Sequence, residues 1–309
     1  MQKEQFELQH YRQFENLEFF ARQVVEGFIT GMHKSPFHGF SVEFSEHRIY
    51  NPGESTRNID WKLYARTDRL YTKRYEEETN LRCRLILDAS GSMYYPRERL
   101  TNPDKPNKLL FSIISSLALM NLFKRQRDAV GLSVFGQSGL QTDARSTYQH
   151  HKAINTEFLR LLEMPGEQDQ HPMIESLHLA ANKIHKRSLI ILFSDLFEMH
   201  EREEELFDAL QHLKFNKHEI IIFWTTDQQT ELDFDFKDRP YRFVDLESGE
   251  AIKLNPGEIK SQYLERIGQF RDRLRLKCLQ YKIDLVEVDV SLGYYQVLQS
   301  YLLKRKRMM

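Results

Sequence analysis

After residue 80 the chain is punctuated by five short runs of nearly unbroken apolar and β-branched residues: RCRLILD (82–88), AVGLSVF (129–135), SLIILFS (188–194), HEIIIFW (218–224) and IDLVEVD (283–289). A strand with one face in water alternates apolar and polar residues, whereas a run apolar at consecutive positions has both faces buried, as in a parallel sheet covered by helices. Segments of helical spacing separate the runs, over 106–126, 151–164, 173–186, 199–214, 259–280 and 293–305. The alternation predicts an α/β fold with a Rossmann-like, doubly wound, mostly parallel sheet. Helix 106–126, PNKLLFSIISSLALMNLFKRQ, opens with Pro106 and is apolar nearly all round, which predicts a place against the centre of the sheet. YRFVDLESGEAIKL (241–254) predicts a hairpin that turns at Ser248-Gly249.

Residues 1–80 read differently, with a helix near 14–32, extended segments at 39–44 and 70–77, and a turn at Asn51-Pro52-Gly53. Fewer than about 80 residues with so few apolar runs make a marginal core of their own. The expected division is an N-terminal α+β extension (1–80) packed on a body of residues 81–309. A content of 40% hydrophobic and 29% charged residues suits a globular chain, and a net charge of −1 gives no overall field toward nucleic acid or an acidic membrane. The basic tail Lys304-Arg305-Lys306-Arg307 lacks interleaved aromatics and reads as a solvated helix end, so no nucleic acid is expected as partner. Cys83 and Cys278 make neither a disulfide framework nor a zinc site, and His150-His151 lacks metal-ligand spacing and reads as surface. Without a signal-peptide pattern or an apolar run of about 18 residues, the expectation is a cytoplasmic chain that inserts in no membrane.

One stretch concentrates chemistry. LILDASGSM (85–93) ends an apolar run in a carboxylate and two hydroxyls, Asp88, Ser90 and Ser92, each two residues from the next. In open parallel sheets ligands collect at the carboxyl ends of strands where the strand order reverses. Hard oxygens at such an end suit magnesium or calcium, and magnesium, wanting about six, needs a second carboxylate nearby. LIILFSDLFE supplies one at Ser194-Asp195. The plainer alternative is that Asp88 and Ser90 only cap a turn.

Catalytic motifs are missing. Ser90 has no G-x-S-x-G around it, Asp88 is followed two residues on by Ser90 rather than by a second acid, and neither a P-loop nor a G-x-G-x-x-G follows a strand. In NIDWKLYAR, preceded by Arg57, helical spacing places Arg57, Asp60 and Trp61 on one face, with Arg66 beyond. Two readings stand: a clamp made of a buried Trp61 and an Arg–carboxylate pair, or an exposed docking surface for a partner.

DASGSM resembles the Asp-x-Ser-x-Ser signature of von Willebrand factor A domains, and FSDL, with Asp195, resembles their second acidic element. The chain further resembles a bacterial branch of such proteins, the domain of unknown function 58 family, in residues 38–67 (HGFSVEFSEHRIYNPGESTRNIDWKLYART), 187–198 and 243–254 and, overall, from about 25 to 305. The resemblance implies a von Willebrand factor A-like fold. It also implies a metal-ion-dependent adhesion site holding Mg2+ on Asp88, Ser90, Ser92 and Asp195, with one position left for a partner's acidic side chain. Its implied partner is an AAA+ ATPase of the MoxR type, served by an adaptor. One departure is plain: MPGEQDQHPMIESL places His171 where such domains supply a threonine hydroxyl, with Asp169 as a further oxygen within that loop. The expected function is therefore a non-catalytic protein-interaction module. Its rivals are a metal-dependent hydrolase using His171 as base, and a scaffold that binds no metal.

Overall fold

The structure, a computed structural model of the chain, describes residues 17–30, 47–49, 61–73, 81–136, 139–163, 173–196, 202–246 and 249–308. Two compact units divide it: one holds helix α1 (17–30, up to Ile29) and all from Leu81 onward, the other lies within Thr30–Asn80. In the smaller unit β1 (His47–Ile49) pairs antiparallel with β2 (Tyr71–Lys73), and helix α2 (Trp61–Thr67) comes between them in sequence. The extended segment expected at 70–77 is a strand over Tyr71–Lys73, while 39–44 and the turn at 51–53 lie outside the described residues. The expected boundary at residue 80 changes for α1, whose Phe20 meets Tyr294 edge-on at 5.9 Å and whose Phe28 meets Tyr295 at 4.9 Å. Ala21 and Val25 are fully buried there. The apolar face of α1 thus finds its core on the C-terminal part of the chain.

In the larger unit five strands form one all-parallel sheet. They are β3 (Arg82–Asp88), β4 (Ala129–Phe135), β5 (Leu189–Ser194), β6 (Glu219–Thr226) and, after a separate antiparallel hairpin of β7 (Tyr241–Val244) and β8 (Ala251–Leu254), β9 (Asp284–Asp289). The spatial order is β4-β3-β5-β6-β9, so the winding reverses between β3 and β5. That gap is the switch point at which doubly wound sheets open a crevice. Leu87 is level with Phe193 across it, so β3 and β5 end together, at Asp88 and Ser194.

The helices are α3 (Lys108–Arg125), α4 (Tyr148–Glu163), α5 (Met173–Lys183), α6 (Glu203–Phe215), α7 (Pro256–Gln280) and α8 (Tyr295–Met308). Alternate strand residues Ile86, Ile190, Leu192, Ile220, Ile222 and Trp224 share one core with Leu177 of α5, Leu206 and Leu210 of α6, and Phe270 of α7. On the other face α3 packs on β3, β4 and β6 and touches α4 and α8. All but three of the 18 residues of α3 are buried, as expected of a helix apolar all round, and each fully buried large apolar side chain stabilises by about 1.5–3 kcal/mol. The helix starts at Lys108 rather than Pro106, because Asn107 is its cap: the Leu110 N–H donates to Asn107 Oδ1 at 2.8 Å while Asn107 Nδ2 donates to the Tyr94 carbonyl at 3.1 Å.

Two expectations are corrected. The basic tail is not wholly a solvated face: Lys306 is exposed, but Lys304 is buried against Glu219 (2.6 Å) and Asp284 (3.0 Å), and Arg305 is buried against Asp128 just before β4. Lysine and arginine look solvated in sequence because their acids come from distant strands. His151 is buried within α4 rather than on the surface. In keeping with a mostly parallel sheet, residues 140–145 run antiparallel along the outer edge of β4, with Thr142 N–H donating to the Leu132 carbonyl at 2.9 Å. Cys83 and Cys278 are free, buried thiols. Among the described residues no helix is long and apolar enough to cross a membrane.

Candidate functional site

At the end of β3 the backbone leaves the sheet through Ala89 and enters a 3-10 turn at Gly91–Tyr94. Asp88 directs that exit: its Oδ1 accepts from the Ser90 N–H at 2.9 Å and from the Ser90 hydroxyl at 2.5 Å. Ser90 Oγ lies 3.2 Å from Ser92 Oγ. The second carboxylate oxygen, Oδ2, accepts from Ser194 Oγ at 2.5 Å, and Ser194 Oγ accepts in turn from the Leu196 N–H at 3.0 Å. The two strand tips are therefore fastened to each other through one carboxylate. Gly136, just past the end of β4, lies close against the turn that follows β3: at φ 91° it sits where a Cβ would lie 2.6 Å from the Ser90 nitrogen.

Asp195 follows β5 and is held from two sides. Its carbonyl accepts from the Trp224 indole N–H at 2.7 Å, and its carboxylate Oδ2 accepts from the Lys108 ammonium, also at 2.7 Å. Lys108 donates besides to Oε1 of Glu231, which lies in a single π turn (Gln228–Leu232) after β6. The other Glu231 oxygen accepts from the Asp227 N–H at 2.8 Å, and Tyr263 of α7 donates to the Glu231 carbonyl at 2.7 Å. Arg99 bonds Asp227 at 2.9 Å, tying the turns after β3 to the end of β6.

Burial sets the electrostatics. Loss of water, and then the Asp195 charge, push the Asp88 carboxyl up to about 7, although the hydroxyls of Ser194 and Ser90 pull the other way. Burial likewise raises Glu231 against the pull of Lys108. Burial alone pulls the Lys108 ammonium down, but Asp195 and Glu231 together outweigh it, so its proton is held above the ordinary lysine range.

The structure brings together Asp88, Ser90, Ser92 and Asp195, four residues named from sequence. It does not present them openly: Asp88, Ser92 and Asp195 are only 3%, 9% and 5% exposed, and Ser90 with Gly91 forms the half-buried rim. Asp169 and His171 lie outside the described residues, as do Arg57 and Asp60. Trp61 is 60% exposed on α2, edge-on to Tyr64 at 6.2 Å, and Arg66 is exposed on the same helix. Lys108, Glu231, Trp224 and Gly136 went unnamed. For Lys108 a signal existed, a lone cation opening an otherwise apolar helix; Glu231, within QQTELDFD, had none.

Magnesium, implied by the resemblance, requires oxygens free to coordinate. Both oxygens of Asp88 already accept hydrogen bonds from serines, and Asp195 is neutralised by a buried ammonium. Among the described residues no three His, Cys, Asp or Glu side chains group as they would to hold a metal ion. As arranged, this donor set does not fit a divalent cation.

The uncharacterized proteins Rv1480 of Mycobacterium tuberculosis and Mb1516 of Mycobacterium bovis are each 31% identical to this chain over 77 residues. The match spans 25% of this chain and 24% of each of those curated relatives, about a quarter of their length. The family described as "Protein of unknown function DUF58" matches residues 46–269, from just before β1 into α7, and that span contains Asp88, Ser90, Ser92, Lys108, Asp195 and Glu231. With most of its length and all of these crevice residues inside that match, the chain belongs to the DUF58 family.

Proposed function

We propose that this chain is a non-catalytic protein-interaction module of von Willebrand factor A-like type, in which the crevice between β3 and β5 sets the shape of a partner-binding rim. The observation that carries this is the 2.5 Å bond from Ser194 Oγ to Asp88 Oδ2. A carboxylate spent on fastening two strand tips, and nearly shielded from solvent, is poorly placed to act as nucleophile or base. What faces outward is the Ser90–Gly91 rim and, on α2, the exposed Trp61, Tyr64 and Arg66. Exposed tryptophan and arginine are the side chains most often found to dominate binding energy at interfaces. The partner is an AAA+ ATPase of the MoxR type, proposed from the family resemblance, and the chain serves as its adaptor. No step of this reading runs through magnesium.

The test is a titration of a purified MoxR-type ATPase with the full chain by biolayer interferometry. Saturable binding is expected, weakened at least tenfold by Trp61→Ala with an unchanged circular dichroism spectrum. Absence of binding would remove the adaptor reading. Hydrolysis of p-nitrophenyl phosphate or acetate, lost in Asp88→Asn, would replace it with the hydrolase.

A further inference from the structure

Lys108 is in a costly place. It is the first residue of α3, at the positive end of the helix dipole, and its side chain is wholly buried. Lysines ordinarily lay their stems along apolar surface and keep the ammonium in water. Neither helix formation nor core packing explains this position. What explains it is the pair of carboxylates that meet the ammonium from two separate elements: Asp195 Oδ2 at 2.7 Å, from the end of β5, and Glu231 Oε1, from the turn after β6. Each is held in place independently, Asp195 by the Trp224 indole on its carbonyl and Glu231 by the Asp227 N–H on its other oxygen.

Two carboxylate oxygens aimed at one point, one on a residue whose backbone carbonyl is anchored and one on a carboxylate whose other oxygen is anchored, make the kind of arrangement that binds a divalent ion, whose oxygen ligands stand at about 2.0–2.6 Å. Here the point is taken by nitrogen. We propose that Lys108 is the built-in cation of this crevice: its tethered ammonium stands between Asp195 and Glu231 where a divalent ion would otherwise bind, and so keeps magnesium out. A tethered charge differs from a metal in two ways. No chelator removes it, and it offers no open coordination position to a partner's carboxylate. Recognition must then run through the residues around the crevice rather than through an ion inside it. The inference rests on the interaction reading only for what the crevice serves.

The test is calorimetric titration of the full chain with MgCl2, together with Mn2+ titration followed by electron paramagnetic resonance. The wild type is expected to show no saturable uptake of either ion at millimolar concentration. Lys108→Ser empties the point between the carboxylates and is expected to bind Mn2+ at least tenfold more tightly than the wild type, a gain that Lys108→Ser with Glu231→Gln abolishes. Stoichiometric Mg2+ binding by the wild type, lost in Asp88→Asn, would overturn the proposal, as would a folded Lys108→Ser that binds no better than the wild type. Should Lys108→Ser not fold, the wild-type titration alone decides. Metal uptake by the wild type leaves the interaction reading standing, and a failed ATPase titration leaves the tethered cation standing.

Discussion

Asp88→Asn is expected to gain stability relative to the wild type as pH rises, although it replaces the residue at the centre of the crevice. Burial, reinforced by Asp195, holds the Asp88 carboxyl at about 7 in the native chain, against an ordinary 3.8. Between those values the native state binds more protons than the unfolded state, so the contribution of Asp88 is fully present below 3.8 and is lost as pH rises through about 7. From about pH 5 to about pH 8 the loss integrates to roughly 2–3 kcal/mol. Asparagine does not ionise and escapes it. The amide oxygen keeps the Ser90 donors, and the amide N–H turns Ser194 from donor to acceptor, which a hydroxyl with two lone pairs accommodates. Any cost of that rearrangement is independent of pH. Urea unfolding of both proteins at the two pH values isolates the effect, because other groups cancel in the difference. The variant should gain roughly 2–3 kcal/mol on the wild type between them. A difference that stays constant, or that moves against the variant in alkali, would refute an Asp88 raised by burial.

Three further outcomes follow from particular contacts. Gly136→Ala places a Cβ 2.6 Å from the Ser90 nitrogen at a positive φ, and is expected to cost about 1–3 kcal/mol in urea unfolding and to shift the Ser90 and Gly91 amide resonances. Asp128→Ala strands the buried Arg305 guanidinium and removes the acceptor of the Leu81 N–H, so a loss of about 3–5 kcal/mol is expected, with Arg305→Met in the same chain recovering part of it. Trp224→Phe deletes the indole donor to the Asp195 carbonyl, and a loss of about 1–3 kcal/mol with little change in secondary structure should be seen by thermal circular dichroism.

Four of the five strands were legible because each is buried on both faces, and a doubly buried strand has to be apolar at consecutive positions: RCRLILD and AVGLSVF occupy the residues expected of them, whereas the edge strand β9 is only half-buried apart from Val288. Helix ends were less so. Helix α3 begins two residues late because Asn107 and the Tyr94 carbonyl, not Pro106, make its cap. The site was half legible. Asp88 and Asp195 end apolar runs, so sequence placed them at strand tips and offered them as a pair of carboxylates, which the resemblance then matched to one site. It could not show that Ser194 would bond Asp88, that Lys108 would neutralise Asp195, or that Glu231 would join them.

What the chain's own sequence determined was local: the period of burial, the rhythm of strand and helix, and which residues stand at strand ends. These follow from short-range sterics and from how much apolar surface each segment must hide. The tertiary structure alone decided which charges meet. Lys304 and Arg305 became buried partners of acids on β9, on β6 and just before β4, and Lys108 became the cation between two carboxylates from separate turns. An ion pair in a dry interior depends on distances of a few ångströms between residues far apart in sequence, and those distances exist only once the sheet has set its strand order.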